Sequence, residues 1–324
     1  MKLFDEQVHR LPNLYPWTQE FIDAMWSGHW TPNEFDFKSD LHDYKTILTE
    51  EERVIVTRTL SAIGQIEVTV KKFWSRLGDN LPHPSMVDMG VVMAAIEVIH
   101  SIAYEKLLTV LGLTESFQEN LKEGVILDRS NYLRKYLDKA YTDNKKQYIY
   151  ALILFTLFIE NVSLFSQFYV IMWFGRFKNV LKDTNQQILY TKNEELIHGQ
   201  IGTKLVNVLR WEYPDLFDDE LKERVLNEAE EAFKAESKII DWLLGDYKEE
   251  RINSKIVKEY VKHRINESLI GIGYPTIYTI DESLYRDFEW MNEMVLGNIA
   301  TDFFHGKDVN YSKKSRVLSE EEIF

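Results

Sequence analysis

Two residue pairs in this chain share a spacing suited to metal ligation: Glu97 with His100, and Glu195 with His198. Positions i and i+3 lie on one face of a helix, so each Glu-x-x-His pair can converge on one ion. Two further acids interrupt apolar text, Glu67 in LSAIGQIEVTV and Glu160 in ALILFTLFIENVSLF. An ionised carboxylate in such surroundings is costly without a partner. In chain order the set is Glu67, Glu97-x-x-His100, Glu160, Glu195-x-x-His198, an acid followed by Glu-x-x-His, twice over. Four carboxylates carry four negative charges, which two divalent ions balance. Carboxylate and imidazole donors suit manganese and iron. Both metals are redox-active, whereas zinc would bind without explaining the layout. A third match, Glu6 with His9, sits in a proline-flanked stretch and reads as surface.

Long helices are needed to hold such a set. The 324 residues include 14 Gly and 7 Pro, about 4% and 2% against usual values near 7% and 5%. Few breakers mean long uninterrupted elements. Thr49 is a fitting N-cap, and the acids after it suit the positive end of a helix dipole. The helix it opens runs to about Leu77, and a second spans about Ser85 to Leu111, closed by Gly112. Shorter helices are expected over 115–123 and 129–141, then longer ones over 144–180 and 184–210. The helix over 218–245 is amphipathic, with Leu221, Val225, Ala229, Phe233, Ile239 and Leu243 at helical spacing. Another covers 253–271. Residues 1–48 read as irregular apart from a short helix over Trp17 to Ser27, and 275–324 as loops and a polar tail. No strand alternation is visible. The expected fold is all-α. Two acid-then-Glu-x-x-His units on four helices make the ferritin-like dinuclear carboxylate pattern. The expected division is one helical domain over 1–304 and a flexible tail over 305–324.

Composition narrows the function. Lys plus Arg is 38 and Asp plus Glu is 52, a net charge of −14. That balance argues against nucleic-acid binding, which needs cations to neutralise phosphates. With no cysteine, disulfides, thiol catalysis and iron–sulfur clusters are excluded. The first sixteen residues hold no apolar run of the signal-peptide kind. The most apolar stretch, Tyr148 to Phe174, has Glu160 and Asn161 at its middle. It reads as a buried core helix rather than a membrane span. A soluble cytoplasmic protein is expected.

From about Trp17 to Phe324 the sequence resembles the small, radical-generating (β) subunit of class I ribonucleotide reductase. The resemblance implies that Glu67, Glu97, His100, Glu160, Glu195 and His198 hold the two metals. Four residues past the first ligand histidine, in HSIAY, Tyr104 matches the tyrosine that often carries the family's radical. HWTPNEFD supplies Trp30, and Glu194 matches the acid, often Asp, that links such a Trp to the first ligand histidine. The tail DFFHGKDVNYSKKSRVLSEEEIF holds Tyr311 and ends in Phe324. In the family such a tail docks on the large catalytic (α) subunit, and its tyrosine relays the radical. A homodimer and cytoplasmic reduction of ribonucleoside diphosphates follow from the same resemblance.

Two features depart from the commonest diiron–tyrosyl pattern. Glu67 stands where the first ligand is usually Asp, and Lys71 lies one turn beyond it on the same helix face. With Tyr104 retained, the chain is most similar to the dimanganese group, which is activated by superoxide and stores its oxidant on the metals. Two manganese ions are therefore expected, with Mn/Fe or two irons as alternatives, and a flavodoxin-like protein as a source of superoxide. Outside the family, the same ligands would suit a ferritin-like iron-storage protein or a ligand-binding Mn/Fe oxidase.

Overall fold

The computed structural model describes residues 1–140 and 142–302, with side chains throughout except at 67–69, 135–139 and 296–302. Tyr311, Phe324 and the expected tail over 305–324 lie outside the described residues. In chain order the helices are α1 (Trp17–Ser27), α2 (Lys38–His42), α3 (Glu50–Trp74), α4 (Leu77–Asn80), α5 (Pro84–Val110), α6 (Thr114–Asn120) and α7 (Gly124–Ala140). There follow α8 (Lys145–Leu154), α9 (Phe165–Trp173), α10 (Lys182–Glu212), α11 (Asp219–Leu244), α12 (Ser254–Gly271) and α13 (Glu282–Asp302). Among the described residues the only β pairing is an isolated bridge between Glu249 and Ile252.

Local chemistry sets several of the starts. Thr49 caps α3: its side chain accepts from the Glu52 backbone N–H, and the Glu52 carboxylate accepts from the Thr49 N–H. Asp218 and Asn253 cap α11 and α12 by one bond each, accepting from the backbone N–H groups of Leu221 and Ile256. The start of α10 is different, because its N-cap is Leu181, at φ 56° and with no capping side chain. Asp40 of α2, buried and far upstream, accepts from the N–H groups of Asp183 and Thr184 at 3.2 and 2.6 Å. The first turn of α10 is thus capped across the fold.

The expected helix over 144–180 is helical from Lys145 to Lys178, apart from a turn at Leu164, but not uniformly α. Wide π-helical turns at Phe155–Ser163 and Phe174–Lys178 interrupt it. As a whole it is a core element, with 94% of its most apolar window buried. In the first π turn Asn161 Nδ2 donates to the Thr156 carbonyl at 2.9 Å, and buried Arg264 of α12 donates from Nε to the Asn161 carbonyl at 2.9 Å. These bonds satisfy carbonyls that the wide turn displaces from the α pattern.

Helix α10 packs along this turn through two glycines. A Cβ on Gly199 would come within 2.3 Å of Asn161 Oδ1, and one on Gly202 within 2.2 Å of Thr156 Oγ1. Helix α3 packs along α5, and α11 along α12. The long helices α3, α5, α8–α9 and α10 thereby surround one interior.

Residues 275–324 are not all loop, as α13 shows. Leu284, Phe288, Met291 and Val295 form its apolar stripe, and Phe288, Met291 and Val295 are buried. The helix packs on α12. Dense polar text between those positions hides the stripe from a reading of composition. The helix expected over 129–141 also begins earlier, at Gly124, and the N-terminal region adds α2 to the expected α1.

Thr156 is β-branched and fully buried, so it has little room to yield. Gly202→Ala should therefore lower the stability of the metal-free protein by about 1–3 kcal/mol through overpacking. Chemical denaturation measures this, and an unchanged midpoint would mean that α10 can lift from the π turn at no cost.

Candidate metal centre

Helix α5 carries Glu97 and His100, the π turn carries Glu160, and α10 carries Glu195 and His198. All five side chains are fully buried. Ligand atoms of Glu97, Glu160, Glu195 and His198 lie within 4.8 Å of one another. The two histidines divide the cluster. His100 Nδ1 lies 3.2 Å from Glu97 Oε2 and 3.2 Å from Glu195 Oε1. His198 Nδ1 lies 2.9 Å from Glu97 Oε1, 3.5 Å from Glu195 Oε2 and 3.8 Å from Glu160 Oε2. Glu97 and Glu195 each turn one oxygen toward either histidine. Glu97 and Glu195 are thus shared between the two histidine ends, and these residues would hold metal ions between them. Glu160 belongs to the His198 end. The side chain of Glu67 lies outside the described residues.

The electrostatics call for positive charge. Burial, with the charges of Glu195 and Glu97 added, pushes Glu160 well above the usual carboxylate range. Glu195 moves the other way: burial would raise it, but hydrogen bonds with His100, His198 and Glu160 outweigh burial. His198 is lifted to about 9, because contacts with Glu195 and Glu97 overcome the cost of burying its cation. Protons on Glu160 and His198 thus hold the place of positive charge among the acids. Several oxygens and nitrogens here, including Glu97 Oε1, Glu160 Oε2 and both Glu195 oxygens, make close contacts within the cluster but no hydrogen bond of regular geometry. Such donor atoms at ligand spacing, of the type that suits Mn and Fe, fit two bound ions.

The surroundings hold the ligands in place. Trp74, at the end of α3, donates from Nε1 to Glu160 Oε1 at 2.6 Å, and its ring lies 6.4 Å from that of His198. On the opposite side His100 Nε2 meets Glu194 Oε2 at 2.7 Å, and Trp30 Nε1 donates to the same oxygen at 2.8 Å. With Nε2 turned to Glu194, Nδ1 of His100 faces Glu97 and Glu195.

A family profile for the small chain of ribonucleotide reductase matches residues 9–284. The chain belongs to the ribonucleotide reductase small-chain family. It is a subunit of an oxidoreductase that acts with a large subunit. A small subunit of ribonucleoside-diphosphate reductase from Invertebrate iridescent virus 3 is 24% identical over 97% of this chain and 87% of its own length. The β subunit from Treponema pallidum is 21% identical over 94% and 88%. Among solved structures, the R2 subunit from Clostridium botulinum superposes with a TM-score of 0.77 at 17% identity, over 87% of this chain and 88% of that one. Dimanganese(II)-NrdF from Streptococcus sanguinis does so with 0.74 at 13% identity, over 91% and 100%. These neighbours have the ferritin-like helical bundle, the fold expected from the sequence.

In this small chain the residues singled out from the sequence fall as follows. Glu97, His100, Glu160, Glu195 and His198 meet in one cluster, with Glu194 and Trp30 joined behind His100. Tyr104 is buried one turn beyond His100 on α5. Lys71 is half-buried and donates to Ser101 Oγ at 2.9 Å, and Ser101 donates to the Glu97 carbonyl at 2.9 Å. Its ammonium thus ties α3 to α5 rather than running out to solvent. Glu6 and His9 are exposed, unlike the fully buried cluster.

Trp74 is the residue that sequence reading passed over. Its signal was there, since it stands seven residues after Glu67, two turns along the same face of α3. Trp74→Phe removes the donor to a buried carboxylate. It should cost the metal-free protein about 1–3 kcal/mol, measured by denaturant titration. Undiminished stability would mean that Glu160 finds another donor.

Proposed function

We propose that this small subunit makes and stores a one-electron oxidant, which the large subunit uses to reduce ribonucleoside diphosphates. The observation that carries the reading is the shared cluster: Glu97 and Glu195 divided between two histidines, with His100 tied through Glu194 to Trp30. Glu67, Glu97, His100, Glu160, Glu195 and His198 would hold two ions roughly 3.5–4 Å apart, the usual spacing of dinuclear sites. Manganese at both positions, with Mn/Fe or two irons as the alternatives, would supply one-electron redox chemistry. The reading of dimanganese rests on Glu67 and Lys71, and the likeness to dimanganese(II)-NrdF agrees with it. Superoxide, delivered by a flavodoxin-like protein, is the proposed activator.

The protein's own groups divide the remaining work. Glu160 is oriented by Trp74, and His100 by Glu194. The Trp30–Glu194–His100 chain offers an electron a hydrogen-bonded route into the site. Tyr104 is a neighbour of the site rather than the radical itself. The tail residues Tyr311 and Phe324 are proposed to relay the radical and to dock on the large subunit. The ferritin-like storage reading accounts for neither Trp30 nor Glu194.

The proposed oligomer is a cytoplasmic homodimer. On α5, Val87, Val91, Val98 and Ile102 are 43%, 55%, 44% and 50% exposed, and Ala95 lies between them. They form one apolar stripe along the helix whose other face carries Glu97 and His100. A second copy of the chain would cover it. Sedimentation should give about twice the chain mass of 38.4 kDa. Val91→Glu with Val98→Glu should shift the protein to monomer, and a wild-type monomer at micromolar concentration would reject the proposal.

The oxidant's location is tested by Tyr104→Phe in manganese-loaded protein mixed with the large subunit. A substantial share of nucleotide reduction should survive, and electron paramagnetic resonance should show no tyrosyl signal in the wild type. Loss of activity to background, with both ions still bound, would assign the radical to Tyr104 instead.

A further inference from the structure

A row of buried polar groups on α10 takes no part in the cluster. Thr184, Gln187 and Thr191 are fully buried. Among the described residues Thr184 Oγ1, both amide atoms of Gln187 and Thr191 Oγ1 have no hydrogen-bond partner. At 100° per residue, positions 184, 187, 191, 195 and 198 fall within an arc of about 80°. The row therefore shares the face of α10 that carries Glu195 and His198. Contacts in the cluster fix what that face meets. His198 lies 2.9 Å from Glu97, and Glu195 lies 3.2 Å from His100. Three residues forward on α5 match three residues back on α10, so the two helices run antiparallel. One more turn in the same register sets Tyr104 opposite Thr191. The next sets Leu107 and Leu108 opposite Gln187 and Ile188. Tyr104 and both leucines are buried. Buried polar atoms are nearly always bonded, to protein or to ordered water. A whole side-chain amide and a hydroxyl one turn away offer water the two to four partners that hold it in an interior.

We propose that Gln187 and Thr191 hold ordered water between α5 and α10 beside Tyr104, and that this wet pocket keeps Tyr104 from storing a radical. The inference rests on the reading of Tyr104 given under Proposed function and supplies a cause for it. Reactive intermediates last where water is excluded. A phenoxyl at Tyr104 would be short-lived in this pocket. It returns to phenol by taking one electron and, through the bound water, one proton from a dissolved thiol, which is left as a thiyl radical. With apolar side chains at 187 and 191 the proton loses its path. Gln187 and Thr191 are thus positioning residues for water, and they touch neither the ions nor a substrate.

The first measurements need no metal. A crystal structure of the full-length, metal-free protein should show water within hydrogen-bond distance of Gln187 and Thr191, and a dry gap there overturns the inference. Gln187→Leu with Thr191→Val removes the polar atoms at nearly constant shape. If water is bonded to them, the denaturation midpoint of the metal-free protein should fall. Dry, unbonded groups would gain from the same change, so a rise also overturns the inference. The second measurement uses full-length, metal-loaded protein. Electron paramagnetic resonance should show no tyrosyl signal in the wild type and a lasting one in the double variant. Adding Tyr104→Phe should abolish that signal, with equal metal content in all three proteins. If wild type and double variant are both silent, the reading of Tyr104 stands and the role given to the pocket is wrong. If the wild type already shows a tyrosyl signal that Tyr104→Phe removes, the reading of Tyr104 fails and the pocket's role fails with it.

Discussion

Carboxylates crowded in an apolar interior cannot all remain charged without positive charge among them. Glu97, Glu160 and Glu195 sit fully buried between packed helices, and each would be costly alone. Replacing such a group by apolar side chains of similar volume is often neutral or stabilising. The cluster is therefore not explained by stability. Its geometry, two acids each shared between two imidazoles, makes sense as a cradle for two cations. The shifts of Glu160 upward and Glu195 downward express the same demand within one pair.

Much of the neighbouring architecture serves to aim these acids. The π turn at Phe155–Ser163 carries Glu160, and its displaced carbonyls find Asn161 and Arg264 as donors. Gly199 and Gly202 let α10 lie close against that turn. The close approach brings His198, one residue before Gly199, up to the acids of the other helices. Trp74 then fixes one oxygen of Glu160 from the end of α3. A wide turn, two missing side chains and one indole N–H thus act on a single carboxylate.

Adjacent residues on α10 divide inner from outer chemistry. Successive positions on a helix point about 100° apart. Glu195 faces the cluster, while Glu194 reaches the far nitrogen of His100 and the indole of Trp30. Hydrogen bonds thus run without a gap from His100 of the cluster to the loop at Trp30. The same carboxylate orients His100 and meets the Trp30 indole. Asp40 contributes at a distance by capping the helix on which Glu194 and Glu195 stand.

Much of this was written in the chain itself. Helical spacing placed Glu97 with His100 and Glu195 with His198, and the scarcity of Gly and Pro announced long helices. Thr49 marked the start of α3 by its own capping chemistry. These features depend on neighbours within a few residues, which is why they are legible in one dimension. Others were decided only on folding. The π turn trades α hydrogen bonds for bonds to Arg264, about a hundred residues away. The cap of α10 comes from Asp40, and the donor to Glu160 comes from Trp74 on another helix. Helix α13 was missed because its apolar stripe gains meaning only against α12. Whether Lys71 points to water or to Ser101 likewise depends on where α5 lies. Spacing along one helix is set by covalent geometry, whereas contacts between helices depend on which surfaces the packed core brings together.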